Sequence, residues 1–195
     1  MKKVGLTGNI GSGKTTISKF FKILNIPVFN SDLVSKQILI ENQDIKFKIE
    51  DIFGSNSYDG KKLNTSYIAQ IVFNDKETLK QLNQIIHPLV QQSFEHWSER
   101  NKNYPYLIKE AAILFESNSY KKLDKIICVT APDELRIGRI IKRNGLSRTQ
   151  VLQRMNNQMN QFKKAKLSDY VIQNDHQCLL TTQVLDIHDD LLKNI

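Results

Sequence analysis

Residues Gly5–Thr16 read GLTGNIGSGKTT, and within them Gly8–Thr15 fits the spacing G-x-x-x-x-G-K-[ST]. Glycine is costly to order, so Gly8, Gly11 and Gly13 in one short stretch argue for a backbone that must wrap closely around something. An anion suits that role: a lysine at Lys14 reaches β- and γ-phosphates, and the Thr15 hydroxyl can hold Mg²⁺. The candidate nucleotide-binding segment therefore runs through Gly8, Asn9, Ile10, Gly11, Ser12, Gly13, Lys14, Thr15 and Thr16. A glycine-rich turn used only for packing would need neither the lysine nor the hydroxyl.

Two further groups have the chemistry to act on a bound phosphate. Asp32, in PVFNSDLVSK, follows a short apolar run, where a carboxylate can accept the proton of an attacking hydroxyl. The same residue at a helix start also serves as an N-cap. Arg136, Arg139 and Arg143 stand at i, i+3 and i+7 in DELRIGRIIKRNGLSR, so one helical face carries three guanidiniums, with Arg148 beyond the Asn144-Gly145 break. Guanidinium forks match phosphoryl oxygens in two-point geometry; a solvated basic face is the alternative.

Positioning these groups falls to alternating elements. Apolar runs at Val4–Leu6, Val28–Phe29, Tyr106–Ile108, Ile126–Val129 and Tyr170–Ile172 are short, mostly β-branched or aromatic, and bounded by polar residues, which predicts buried strands. Helical spacing lies between them. Ile17, Phe20, Phe21 and Leu24 share a face; Leu135, Ile140 and Ile141 follow Pro132, which suits a first turn; Leu180, Val184, Ile187 and Leu191 form a last amphipathic helix. Ser147 and Gln150 make a capping box before Val151, Leu152, Met155 and Met159. This alternation predicts an α/β fold, a parallel sheet covered on both faces. From Val34 to Arg100 the patterns are helical only, interrupted by the turn YDGKKLN, which predicts a helical lobe inserted between the second and third strands.

The 195 residues are enough for one domain, and no apolar stretch approaches the roughly 18–20 residues of a membrane span. The start, Met1-Lys2-Lys3 followed by glycines, lacks the apolar core of a secretory signal, which predicts a cytoplasmic protein. Cys128 and Cys178 lack metal-ligand spacing, and Cys128 in KIICVT reads as a small buried thiol. The formal net charge of +8 fits a nucleic-acid surface or a site for a small polyanion. Scattered lysines favour the polyanion, with no nucleic-acid partner and no membrane partner.

Beyond the glycine loop and NSD, the chain carries Asp59-Gly60 and Leu63 before a helix ending in Val72-Phe73, and His87-Pro88 after a leucine-rich helix. AILFE ends at Glu116; then come Arg139, Arg143, Gln158 and SDYVIQN. This succession resembles the dephospho-CoA kinase family over essentially the whole chain. The resemblance implies a three-layer P-loop fold like that of nucleoside monophosphate kinases, with a five-stranded parallel sheet. Residues 1–33 and 101–195 would form the nucleotide-binding core, about 34–100 a lobe for the CoA precursor, and about 136–150 a mobile lid. It implies transfer of the γ-phosphoryl group of ATP to the 3′-hydroxyl of dephospho-CoA, with Mg²⁺, by a monomer or small homo-oligomer. Asp32 would be the base and Lys14, Arg139 and Arg143 the other catalytic residues, with His87 and Glu116 near the acceptor.

Four positions depart from the family pattern. Asn9 replaces a usual glycine, Asn30 stands where an aspartate is common, Thr65 where an arginine often lies, and Ala112 replaces a proline. Asn30 leaves the base with less carboxylate company, and Thr65 removes one expected contact to an anionic acceptor. A GTPase reading of Asp51–Gly54 as D-x-x-G fails, because no N-K-x-D motif follows and glycine there suits a helix stop. A second small P-loop kinase class, acting on a nucleotide or nucleoside, is separated by its acceptor. A nucleic-acid-binding ATPase is separated by a steep salt dependence of binding.

Overall fold

The computed structural model describes residues 1–193, the side chains of Phe73, Asn74 and Lys76 excepted. In chain order the elements are β1 (Lys2–Thr7), α1 (Lys14–Ile23), β2 (Val28–Asn30), α2 (Ser31–Glu41), α3 (Gln43–Phe53), β3 (Tyr58–Asp59), β4 (Lys62–Leu63), α4 (Thr65–Asn74) and α5 (Lys76–Arg100). There follow β5 (Tyr106–Glu110), β6 (Lys125–Thr130), α6 (Asp133–Asn144), α7 (Arg148–Asn156), α8 (Gln161–Lys166), β7 (Tyr170–Gln173) and α9 (Leu180–Lys193). The chain divides into two compact units, residues 1–30 with 97–195, and residues 31–96.

In the first unit the five apolar runs become one sheet of order β2-β5-β1-β6-β7. Every pair is parallel, with Val4 beside Ile108, Leu6 beside Ile127, Phe29 beside Lys109 and Cys128 beside Val171. Parallel strands need crossover connections, and helices cover both faces of the sheet. β1 is central, so the glycine loop that leaves it emerges at the carboxyl edge, where open α/β sheets gather ligands. The core joins Val4 and Leu6 of β1 to Ile17 and Phe21 of α1, Ile127 and Val129 of β6, and Val184, Ile187 and Leu191 of α9. Gly5 leaves room for its neighbours: a Cβ there would lie 2.8 Å from methyls of Leu114 and Leu123, which would have to shift.

α6 departs from its expected face. Its buried residues are Arg136, Ile137 and Ile140, while Ile141 is 37% exposed. Pro132 occupies the N-cap position and does not sit within the first turn. The capping box of α7 forms with both of its hydrogen bonds, and the helix ends at Asn156, before Met159. Ile137, Ile140 and Val151 close a small apolar cluster against Ile10, Leu146 and Met155.

The 31–96 unit is held by local devices. Asn42 caps α3 through Ile45 N–H at 3.1 Å, and Asn64 caps α4 through Tyr67 N–H at 3.2 Å. Tyr58 donates to Leu39 O and Tyr67 to Phe53 O. Gly54 ends α3 at φ 80°, so Asp51–Gly54 is a helix terminus. Two expectations need correction. YDGKKLN is a hairpin of β3 and β4, Tyr58 paired with Leu63, because a two-residue Gly-Lys loop with Gly60 at φ 59° suits a tight reversal. His87-Pro88 does not end a helix: α5 continues through Pro88, which is exposed together with Gln84, so water can take the carbonyl that loses its donor. His87 itself is half-buried.

Candidate active site

The backbone carbonyls and amides of the loop Gly8–Gly13 have different fates. All six carbonyls are engaged. Lys14 Nζ takes Gly8 O at 2.8 Å and Asn9 O at 3.4 Å, and Ser12 N–H also donates to Asn9 O. Arg136 Nε takes Ile10 O at 3.1 Å, Arg139 Nη1 takes Gly11 O at 3.3 Å, and Asn174 Nδ2 takes Ser12 O at 2.8 Å. Gly13 O accepts from Thr16 and Ile17 at the start of α1. The N–H groups of Gly11, Gly13 and Thr15, in contrast, donate to nothing among the described residues. Carbonyls are committed and amides are left over, at the positive end of a ten-residue helix. That is an anion cradle.

The glycines are demanded by this conformation. Gly8, Gly11 and Gly13 have φ of 148°, 80° and 102°. A Cβ at Gly11 would meet the backbone of Arg136 at 2.7 Å, and at Gly13 would run into the Asn174 amide. Thr15 is the second residue of α1 and exposed, with no partner for its hydroxyl among the described residues. Asn9 is 3% exposed and donates through Nδ2 to Met159 O at 2.8 Å, while Ile10 N–H donates to Gln158 Oε1 at 2.8 Å. Asn9, Arg136 and Gln158 also line a polar cleft of about 220 Å³ with Asp133, Asn160 and Gln161.

The arginines do not act as one exposed face. Arg136 is 2% exposed and bonded to Asp133 at 2.7 Å; burial pulls its guanidinium below the ordinary value and Asp133 offsets part of that. Arg139 is half-buried, reaching Gly11 O, Asn174 Oδ1 and His176. Arg143 is exposed and donates to neighbouring Asn144. Arg148 pairs with Glu134 and holds that carboxyl below the usual range. The i, i+3, i+7 spacing could not reveal this grading, because α6 turns its first arginine inward.

Asp32 is the second residue of α2, two residues past the end of β2, and is exposed. It is therefore not an N-cap. At the end of β5, Glu110 is 4% exposed and accepts from Ser18 at 2.7 Å and from Asn30 at 3.2 Å. An aspartate at position 30 would set two carboxylates against each other, so Asn30 is the chemically matched residue beside Glu110. Glu116 Oε1 pairs with the fully buried Lys164 at 2.8 Å and accepts from Met159 N–H at 3.0 Å. Lys164 also donates to Ala112 O at 2.7 Å. Thr65 is exposed at the start of α4. Sequence reasoning gave no role to Asn174, Glu110, Asp133 or Lys164; position at a strand's carboxyl end was the available signal for Asn174 and Glu110.

A parallel five-stranded sheet with helices on both faces, and a glycine loop feeding bare amides into the first helix, define the class of P-loop kinases. The crystal structure of a Thermus thermophilus protein, 28% identical, superposes with a TM-score of 0.84 over 100% of this chain and 97% of its own. Dephospho-CoA kinase from Campylobacter jejuni, 24% identical, shares the fold with a TM-score of 0.71 and 98% coverage of each chain. The dephospho-CoA kinase of Bacteroides fragilis is 35% identical over 185 residues, 95% of this chain and 90% of its own length. The dephospho-CoA kinase family profile matches residues 2–179, and the chain belongs to that family.

Proposed function

We propose that the chain transfers the γ-phosphoryl group of ATP to the 3′-hydroxyl of dephospho-CoA, giving coenzyme A and ADP, the final step of coenzyme A synthesis. Membership of the family carries the acceptor, and the uncommitted amides of Gly11, Gly13 and Thr15 carry the donor. Those amides and Lys14 would bind the β- and γ-phosphates. Lys14 now rests on Gly8 O and Asn9 O, which it exchanges for phosphate oxygens.

In the transfer the 3′-oxygen forms a bond to the γ-phosphorus as the bond to the β,γ-bridging oxygen breaks, and ADP departs with that electron pair. Asp32 accepts the hydroxyl proton; its exposed carboxylate just past a parallel strand's end supports this role. Arg139 and Arg143 stabilise charge on the moving phosphoryl group from the lid, residues 136–150. The Thr15 hydroxyl fits Mg²⁺, which needs only one or two protein oxygens beside phosphate and would neutralise phosphate charge when bound. No group of three or more acidic, histidine or cysteine residues forms a separate metal centre among the described residues. The 31–96 unit would receive dephospho-CoA, with His87 in contact with it. No helix among the described residues is long and apolar enough to cross a membrane.

The test is ADP release with dephospho-CoA, AMP, CMP and uridine offered separately. Dephospho-CoA should exceed the others by orders of magnitude; a rate at background with it, or a better one with a mononucleotide, overturns the proposal.

A further inference from the structure

The linker between α7 and α8, residues 157–160, is braced more heavily than a connection of four residues requires. Met159 is held through both of its backbone groups: its N–H donates to Glu116 Oε1 at 3.0 Å and its C=O accepts from Asn9 Nδ2 at 2.8 Å. Glu116 is fixed in turn by fully buried Lys164, which also grips Ala112 O. Next to Met159, the Gln158 side chain accepts from Ile10 N–H at 2.8 Å. The carbonyl of Ile10 is taken by buried Arg136 at 3.1 Å, so this residue of the phosphate loop is also held at both ends. Asn160 then caps α8 through Phe162 and Lys163 N–H. Two residues, one in the loop and one in the linker, are thus pinned by four side chains from four places in the sequence.

We infer that Asn9 and Gln158 are positioning residues that clamp the phosphate loop to this linker and preorganise the cradle for ATP. A loop with three glycines has many empty conformations, and each must be given up when the triphosphate binds. Gln158 keeps the Ile10 amide turned away from the cradle, Arg136 fixes the opposite side of the same residue, and Asn9 ties the preceding residue to Met159. Rotation of the Asn9–Ile10 peptide would break two hydrogen bonds at once, Ile10 N–H to Gln158 and Ser12 N–H to Asn9 O. The clamp acts before the anion arrives, so its loss weakens nucleotide binding more than it slows the chemical step. The inference rests on the loop's taking ATP and is independent of the acceptor.

The experiment measures the Kd of a non-hydrolysable ATP analogue with magnesium, together with Tm and kcat, for Asn9→Ala, Gln158→Met and the double variant. Ile187→Val, in the α9 core, serves as the control for lost stability alone. Each clamp variant should raise Kd about tenfold, the size expected for one lost orienting hydrogen bond, with kcat within about threefold of wild type. Because both side chains hold one linker, the double variant should lie within about twofold of the weaker single. Ile187→Val should lower Tm with Kd unchanged. Unchanged Kd in both clamp variants, or a Kd that tracks Tm as closely in Ile187→Val, overturns the clamp. So does a double variant in which the two losses multiply. A readout that needs no variant is hydrogen exchange in the nucleotide-free wild type: the Ile10 amide should exchange slowly despite lying in a loop, and fast exchange overturns the inference. A wild-type chain that binds the analogue but fails to phosphorylate dephospho-CoA would refute the acceptor and leave the clamp standing.

Discussion

The phosphate loop and the 31–96 unit are stabilised by opposite means. In the loop, three consecutive carbonyls are satisfied from far along the chain: Arg136 reaches Ile10 across 126 residues, Arg139 reaches Gly11 across 128, and Asn174 reaches Ser12 across 162. In the 31–96 unit the ties named above are far shorter, from 3 residues in Asn42 to Ile45 and Asn64 to Tyr67, to 14 in Tyr67 to Phe53 and 19 in Tyr58 to Leu39. Long-range ties make the loop's geometry a property of the whole α/β unit, with its glycines as places where nothing else fits. Short-range ties let the helical unit tolerate change position by position. The donor end of the chemistry is therefore rigidly specified, and the unit proposed for the acceptor is specified by composition and caps.

Substitutions can break this contrast in a graded way. Lys14→Ala removes the loop's own cation and should cut kcat to below about one-thousandth of wild type in an ADP-release assay, with Tm little changed. Asp32→Asn should lower kcat by roughly 10²–10⁴ while leaving the Kd for the ATP analogue intact; near-normal kcat would remove Asp32 from the chemistry. Two glycine substitutions sharpen the comparison directly. Gly13→Ala combines φ 102° with a collision against Asn174 and should abolish nucleotide binding in calorimetry. Gly60→Ala, at φ 59° with nothing within 4 Å of the added methyl, should cost only about 1–2 kcal/mol of stability and spare Kd. Equal losses from the two would erase the distinction. The smallest effect concerns the thiols: exposed Cys178 should react with a thiol reagent at pH 8 in the native chain, and buried Cys128 should not. Burial pushes Cys128 up to about 11 from an ordinary 9.0, so the unfolded chain ionises first and native stability falls as pH climbs between those values. Denaturant melts across that window check the sign.

Local pattern explains what the sequence made legible. The five apolar runs each became a strand whose ends fall within two residues of the expected ones, because strands of a covered parallel sheet read as short continuous apolar segments. Ser147 and Gln150 announced their helix start, and Gly54 its stop, through chemistry contained within a turn. Positive φ at Gly8, Gly11 and Gly13 followed from the loop motif. Arg136 was opaque: helical spacing places three arginines on neighbouring surface but does not say which one the phosphate loop covers. Lys164 was hidden for a related reason, since a lysine buried against Glu116 leaves no periodic trace in QFKKAK. The β3–β4 hairpin, with strands of two residues each, is too short to set up an alternating pattern.

The most direct measurement is a crystal structure of the chain with a non-hydrolysable ATP analogue and magnesium. Phosphate oxygens should lie within hydrogen-bond reach of the N–H groups of Gly11, Gly13 and Thr15, with Lys14 Nζ moved from Gly8 O to the γ-phosphate. A triphosphate bound elsewhere, with those three amides still unengaged, would contradict the cradle and the phosphoryl transfer built on it.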